Sequence, residues 1–171
     1  MSETDFLRYV WSCGVLTIPI LVWNVVFFRF LPPPLATNEF WRDILRFVSR
    51  GENSLRLAVL LLPFLMPLEV ATVAQQRGVL LFVVGTVCYF LAWVALMIAP
   101  RSRWSTSPLG FLAPAYTPLL WLVGLGLLGR RLYWPSPYQW WWYLGLAGGF
   151  VALHVAHASI VYARNDHRRE P

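Results

Sequence analysis

The chain has 171 residues, of which 58% are hydrophobic and 13% charged, where a soluble domain carries roughly 25% charged residues. That balance excludes a water-soluble globule and a disordered chain alike: too few charges exist to wet the surface, and too much apolar surface to leave unburied. The net charge is +6 and all 14 basic residues are arginine; they stand singly or in pairs between apolar stretches, without a basic stripe interleaved with aromatics. Nucleic acid is therefore not an expected partner, whereas anionic lipid at a cytoplasmic membrane face is.

Five stretches approach the ~20 apolar residues that a helix needs to cross a bilayer: residues 9–30, 56–73, 78–99, 109–129 and 140–163. The expectation is an all-α integral membrane protein, a single transmembrane domain over residues 1–171. It is a bundle of five transmembrane helices plus one short interfacial amphipathic helix. The first stretch does not read as a cleaved signal, because acidic Glu3 and Asp5 precede it and Pro32, Pro33 and Pro34 follow it in place of a small-residue cleavage site.

Between the first two stretches, residues 38–50 place Phe40, Trp41, Ile44, Leu45, Phe47 and Val48 at helical spacing, with Arg42, Asp43, Arg46, Ser49 and Arg50 opposite and Gly51 as a stop. This reads as a helix lying at the interface or packed on the end of the bundle. The second stretch contains Pro63, Pro67 and Glu69, so a kinked or re-entrant form is the alternative to a full crossing. In the fourth, Pro114 and Pro118 remove two backbone donors and imply either a bend or a ligand-lining break. A basic tail, residues 164–171, closes the chain.

With five crossings, ten arginines fall on the side of the C-terminus and four on the other, which puts the C-terminus inside and the N-terminus outside. A multi-pass protein of a bacterial inner membrane is the expected setting. Trp11, Trp134, Trp140, Trp141 and Trp142 fall at the outer boundary and Trp104 at the inner one, where an indole buries its ring and wets its N–H.

Ionisable groups inside a bilayer are costly, so Glu69, His154 and His157 are the residues to question first. His154 and His157 share one face of the last helix, suited to hydrogen bonding within the bundle, to passing a proton, or to holding haem or a metal. Helix rise puts Glu69 about 4 Å to the outer side of the midplane and the histidines about 4 and 9 Å to the inner side. That separation argues against one two-histidine, one-carboxylate metal site and leaves Glu69 as a proton-handling candidate or a partner for Tyr89. The same reckoning groups Asn24, Tyr116, Thr117, His154 and His157 as a candidate ligand pocket. Gly145, Gly149, Ala152 and Ala156 form a small-residue stripe opposite the histidines, suited to a close helix contact in a homo-oligomer or with a partner membrane subunit.

The two cysteines, Cys13 and Cys88, have no metal or disulfide spacing. No phosphate loop, nucleophile elbow or HExxH motif occurs, and no cofactor is called for. The leading expectation is a non-enzymatic lipid- or partner-binding membrane component. The alternatives are a redox or proton-handling component using His154 and His157, or a small lipid-acting enzyme.

Overall fold

The computed structural model describes residues 11–32, 35 and 38–167. Arg8, the start of the first expected crossing and residues 168–171 of the basic tail lie outside the described residues. The described residues form helices and their connections, with no strand and one isolated bridge, Ser12 to Pro67. The helices are α1 (Ile18–Phe27, with 3-10 turns Cys13–Thr17 before and Phe28–Phe30 after), α2 (Asn38–Trp41), α3 (Arg46–Leu61, extended by a 3-10 turn Leu62–Leu65), α4 (Val73–Ile98), α5 (Arg103–Thr106), α6 (Pro108–Tyr116), α7 (Pro118–Leu128) and α8 (Trp140–His167). Four stretches among the described residues are long and apolar enough to cross a membrane: Cys13–Phe30, Val73–Ile98, Pro108–Leu128 and Trp140–Asn165. The protein is a multi-pass helical membrane protein.

Two of the expected elements have different bounds. The single helix over residues 38–50 is broken: Asp43 sits at φ 54°, a left-handed conformation that aspartate tolerates better than most residues. α2 stops at Trp41 and α3 starts at Arg46. Leu45 and Phe47 are exposed while Val48 is buried, so the apolar residues do not form one face. Gly51 lies inside α3 rather than after a stop, and a Cβ there would come 2.7 Å from Leu153 Cδ1. Arg56, the expected start of the second stretch, thus lies inside α3, which begins ten residues earlier and ends in a 3-10 turn where Pro63 interrupts the α ladder. Residues 66–72 are non-helical until a Thr72–Gln75 capping box opens α4. The fourth stretch is two helices joined at Thr117, with Pro118 opening the second.

Close packing is concentrated where glycines let backbones meet. A Cβ on Gly85 would lie 2.4 Å from Trp121 N, and one on Gly124 2.5 Å from Phe82 N; Gly78, Gly85 and Gly124 therefore set the α4–α7 crossing. α3 runs antiparallel to α8. Gly51 faces Leu153, Leu55 faces Gly149, and the Tyr143 hydroxyl donates to the Val59 carbonyl at 3.0 Å.

Backbone pairing gathers residues 11–13, 65–68 and 129–138 at one end of the bundle. Cys13 N–H donates to Met66 O and Leu68 N–H to Trp11 O, both at 2.9 Å, and Tyr133 N–H to Leu65 O at 3.1 Å. At the other end Arg164 donates to the Arg42 carbonyl at 2.5 Å and the Tyr162 hydroxyl to the Thr106 carbonyl at 3.2 Å. Exposed Trp11, Trp134, Trp141 and Trp142 are all at or beside the first end, and exposed Trp104 is near the second.

Candidate functional site

α3 carries Glu52 and Arg56 one turn apart, and both turn toward α8. Val48, Glu52 and Val59 are the buried residues of this helix, a spacing of four and seven that marks one face. Glu52 is completely buried, and both its oxygens are used. Oε1 accepts from Arg56 and meets His154 Nδ1 at 2.9 Å, and Oε2 meets His157 Nδ1 at 2.5 Å. The short α2 supplies the remaining wall: His157 Nε2 lies 2.8 Å from the Phe40 carbonyl oxygen, the Phe40 ring stacks on the imidazole at 4.0 Å, and Trp41 meets it edge-on. These contacts explain why residues 38–50 cannot be one helix, since the chain must turn after Trp41 to hold Phe40 against His157.

Partner chemistry determines where the protons sit. A carbonyl only accepts, so His157 Nε2 carries hydrogen. Nδ1 of the same ring faces a carboxylate oxygen, so one further proton lies between them. Either an imidazolium meets a carboxylate, or a neutral imidazole meets a carboxylic acid. A neutral His154 donates its Nδ1–H to Oε1 and leaves Nε2 as an acceptor with no hydrogen-bond partner among the described residues. With His154 neutral, Glu52, Arg56, His154 and His157 together carry one net positive charge wherever the shared proton resides.

Beside this cluster lies a cavity of about 310 Å³. Its walls are apolar and aromatic, including Ile20, Phe28, Val59, Trp93, Trp121 and Phe150, and Asn24, Arg56, Tyr89 and His154 are polar groups among them. The Tyr89 hydroxyl donates to Asn24 Oδ1 at 2.5 Å. Arg56 stands with its guanidinium carbon 5.8 Å from the ring centres of both Trp41 and Phe150, a cation–π arrangement.

The sequence-derived pocket is therefore divided. Asn24 and His154 line the cavity, His157 lies behind His154 and away from it, and Tyr116 and Thr117 do not line it. Tyr116 is partly exposed and donates to the Leu109 carbonyl, while the Thr117 hydroxyl caps Ala113 O at 2.7 Å. The fourth-stretch residues that reach the cavity are their neighbours Pro114 and Pro118, together with Trp121. Glu69 does not pair with Tyr89. It forms an exposed ion pair with Arg131 at the opposite end of the bundle, and that carboxylate raises the Arg131 guanidinium above its ordinary value. In the same end region, burial pushes the Tyr138 hydroxyl up, and it donates to the Gly129 carbonyl at 3.2 Å.

The carboxylate that does join the histidines is Glu52. Its signal was the i, i+4 pairing with Arg56 next to an apolar run, set within a charged stretch that reads as a loop. The cluster does not fit haem or a metal between the two histidines: both Nδ1 atoms bond Glu52 and His157 Nε2 bonds a carbonyl, which leaves one free imidazole nitrogen. Along the small-residue stripe, Gly145, Ala152 and Ala156 are exposed, and Gly149 alone meets another helix of the chain, with Leu55 Cδ1 3.3 Å from where its Cβ would be.

No protein-family model matches the chain, and neither a curated protein nor a solved structure is detectably similar to it.

Proposed function

We propose that this is a non-enzymatic membrane protein that holds an amphiphilic ligand from the bilayer in the cavity between α1, α3, α4 and α8. The observation that carries this reading is the cavity itself: about 310 Å³, with mostly apolar and aromatic walls and the polar groups of Asn24, Tyr89, Arg56 and His154. Small-molecule sites have this build, a mainly apolar enclosure of roughly 300 Å³ or more with a few placed polar groups. The test is titration of purified protein in a neutral detergent with single-chain amphiphiles, read by thermal unfolding and by retention in native mass spectrometry. Saturable stabilisation is expected; it should be lost when Val59→Trp fills the cavity, and its absence in the parent protein refutes the reading.

In this reading the chain crosses a bacterial inner membrane five times, N-terminus outside and C-terminus inside, and residues 46–65 take the place of the expected crossing 56–73. The antiparallel pairing of α3 with α8 from Gly51 to Val59 supports that count, as does the position of residues 65–68 at the end of the bundle that holds residues 11–13. Anionic lipid at the arginine-rich face is the proposed surrounding, and the exposed Gly145, Ala152 and Ala156 are the proposed contact for a second copy or a partner subunit. A proton-handling role is the second reading, favoured by the proton shared between Glu52 and His157.

A further inference from the structure

The ligand's chemical class follows from the charge and the open hydrogen-bonding positions at the polar end of the cavity, an inference that rests on the cavity's being a ligand site. Arg56 and Glu52 cancel, but the proton that His157 must share with Glu52 leaves the cluster at +1 whichever atom holds it. Among the described side chains, the other two carboxylates are already paired elsewhere, Asp43 with Arg42 and Glu69 with Arg131. A net charge buried against an apolar cavity is unfavourable without a counter-ion. Two cavity-lining groups remain to meet one. Arg56 is one third exposed and makes its ion pair with Glu52 through Nη2 alone, so further guanidinium N–H donors are available. In its neutral form, with Nδ1–H on Glu52, His154 offers Nε2 as an acceptor.

We propose that Arg56 and His154 bind the monoanionic phosphate head of an amphiphile whose chain lies along Ile20, Val59 and Phe150. A monoprotonated phosphate matches both groups at once. An ionised oxygen accepts from Arg56, and the P–OH donates to His154 Nε2. A carboxylate satisfies only Arg56 and turns a lone pair toward the acceptor nitrogen, and an alcohol satisfies only His154. The second ionisation of a phosphomonoester lies near pH 6, so the monoanion is well populated slightly below that. The head belongs either to a membrane lipid that ends in a phosphomonoester, such as phosphatidic acid, or to a free single-chain phosphate; a phosphodiester monoanion has no P–OH to donate.

The experiment titrates the purified protein at about pH 5.5 in a neutral maltoside detergent with decyl phosphate, decanoate, decanol and decyltrimethylammonium, reading thermal unfolding and native mass spectrometry. The expected midpoint for decyl phosphate is at least tenfold below that for decanol, with decanoate between them and the cation weakest. Arg56→Lys keeps the preference for the phosphate and Arg56→Gln abolishes it while decanol binding stays within about twofold. Should Arg56→Gln fail to fold, the order of the four midpoints in the parent protein and in Arg56→Lys decides the matter. Competition by phosphatidic acid vesicles against decyl phosphate identifies a membrane lipid as the source, and competition by single-chain phosphates alone identifies a free amphiphile. Equal midpoints for the phosphate and the alcohol overturn the anionic head but leave an amphiphile site standing. Decanoate binding as tightly as decyl phosphate overturns the choice of phosphate, and a preference that survives Arg56→Gln overturns the assignment to Arg56. Failure of all four to bind overturns the site altogether.

Discussion

Glu52 hydrogen-bonds three side chains on two helices, so its loss strands more than one group. Removing one member of a buried charge cluster typically costs about 3–5 kcal/mol, because the partners stay desolvated. Glu52→Ala is therefore expected to lower stability by about that amount in denaturation of the detergent-solubilised protein. The Glu52→Ala, His157→Ala double variant should lose less than the two single variants combined, since each single change already removes the shared hydrogen bond. Additive losses would show that the pair is not coupled. Tyr143 tests a neutral contact of the same helix pair: Tyr143→Phe removes the donor to Val59 O from a fully buried site, and a loss of about 1 kcal/mol is expected.

At the scale of elements, the glycines that bring the backbones of α4 and α7 closest, Gly85 and Gly124, lie outside the stripe that the sequence pattern singles out. Gly85 is backed by the backbone of Trp121, which cannot give way as a flexible side chain can, whereas Gly145 has nothing within 4 Å of its would-be Cβ. Gly85→Leu should separate α4 from α7, with loss of folded protein on size-exclusion in mild detergent. Gly145→Leu should leave the thermal midpoint of the monomer unchanged, because it enters open space, and any change it causes should appear in oligomeric state. A small-residue stripe marks a helix surface that permits close approach. It does not say which helix, or which molecule, approaches. The same limit applies to residues 38–50. Their spacing suits a continuous amphipathic helix, but Phe40 has a stronger partner in His157, and the chain takes a left-handed residue at Asp43 to reach it.

The whole molecule is organised by two ends: tryptophans and the Glu69–Arg131 pair at one, the arginine-rich segments near Arg42, Arg101 and Arg164 at the other. If residues 46–65 cross, the two chain termini lie on opposite sides of the membrane. A reporter fused after Pro171 should be active in the cytoplasm and one fused after Leu35 should be active there too, while one inserted at Ser136 should be active only outside. Activity of the Pro171 fusion outside reverses the orientation. A Ser136 fusion on the same side as Leu35 removes the crossing by residues 46–65.

Composition alone required a membrane protein, because a chain with 13% charged residues and long apolar runs has no other solvent in which its surface is stable. The apolar runs also located most of the long helices, and the helical spacing of His154 and His157 placed both imidazoles on one side of α8. What they meet depended on tertiary structure. Glu52 lies 102 residues before His154 in the chain, and its i, i+4 pairing with Arg56 suits a carboxylate in a charged turn as well as one that α3 buries against another helix. Glu69, set among apolar residues, looked the more deeply buried of the two and is in fact the exposed one. Burial is a property of what packs over a residue. For side chains brought together from distant segments, only the packed helices decide which charge is hidden, which partners neutralise it and where a cavity opens.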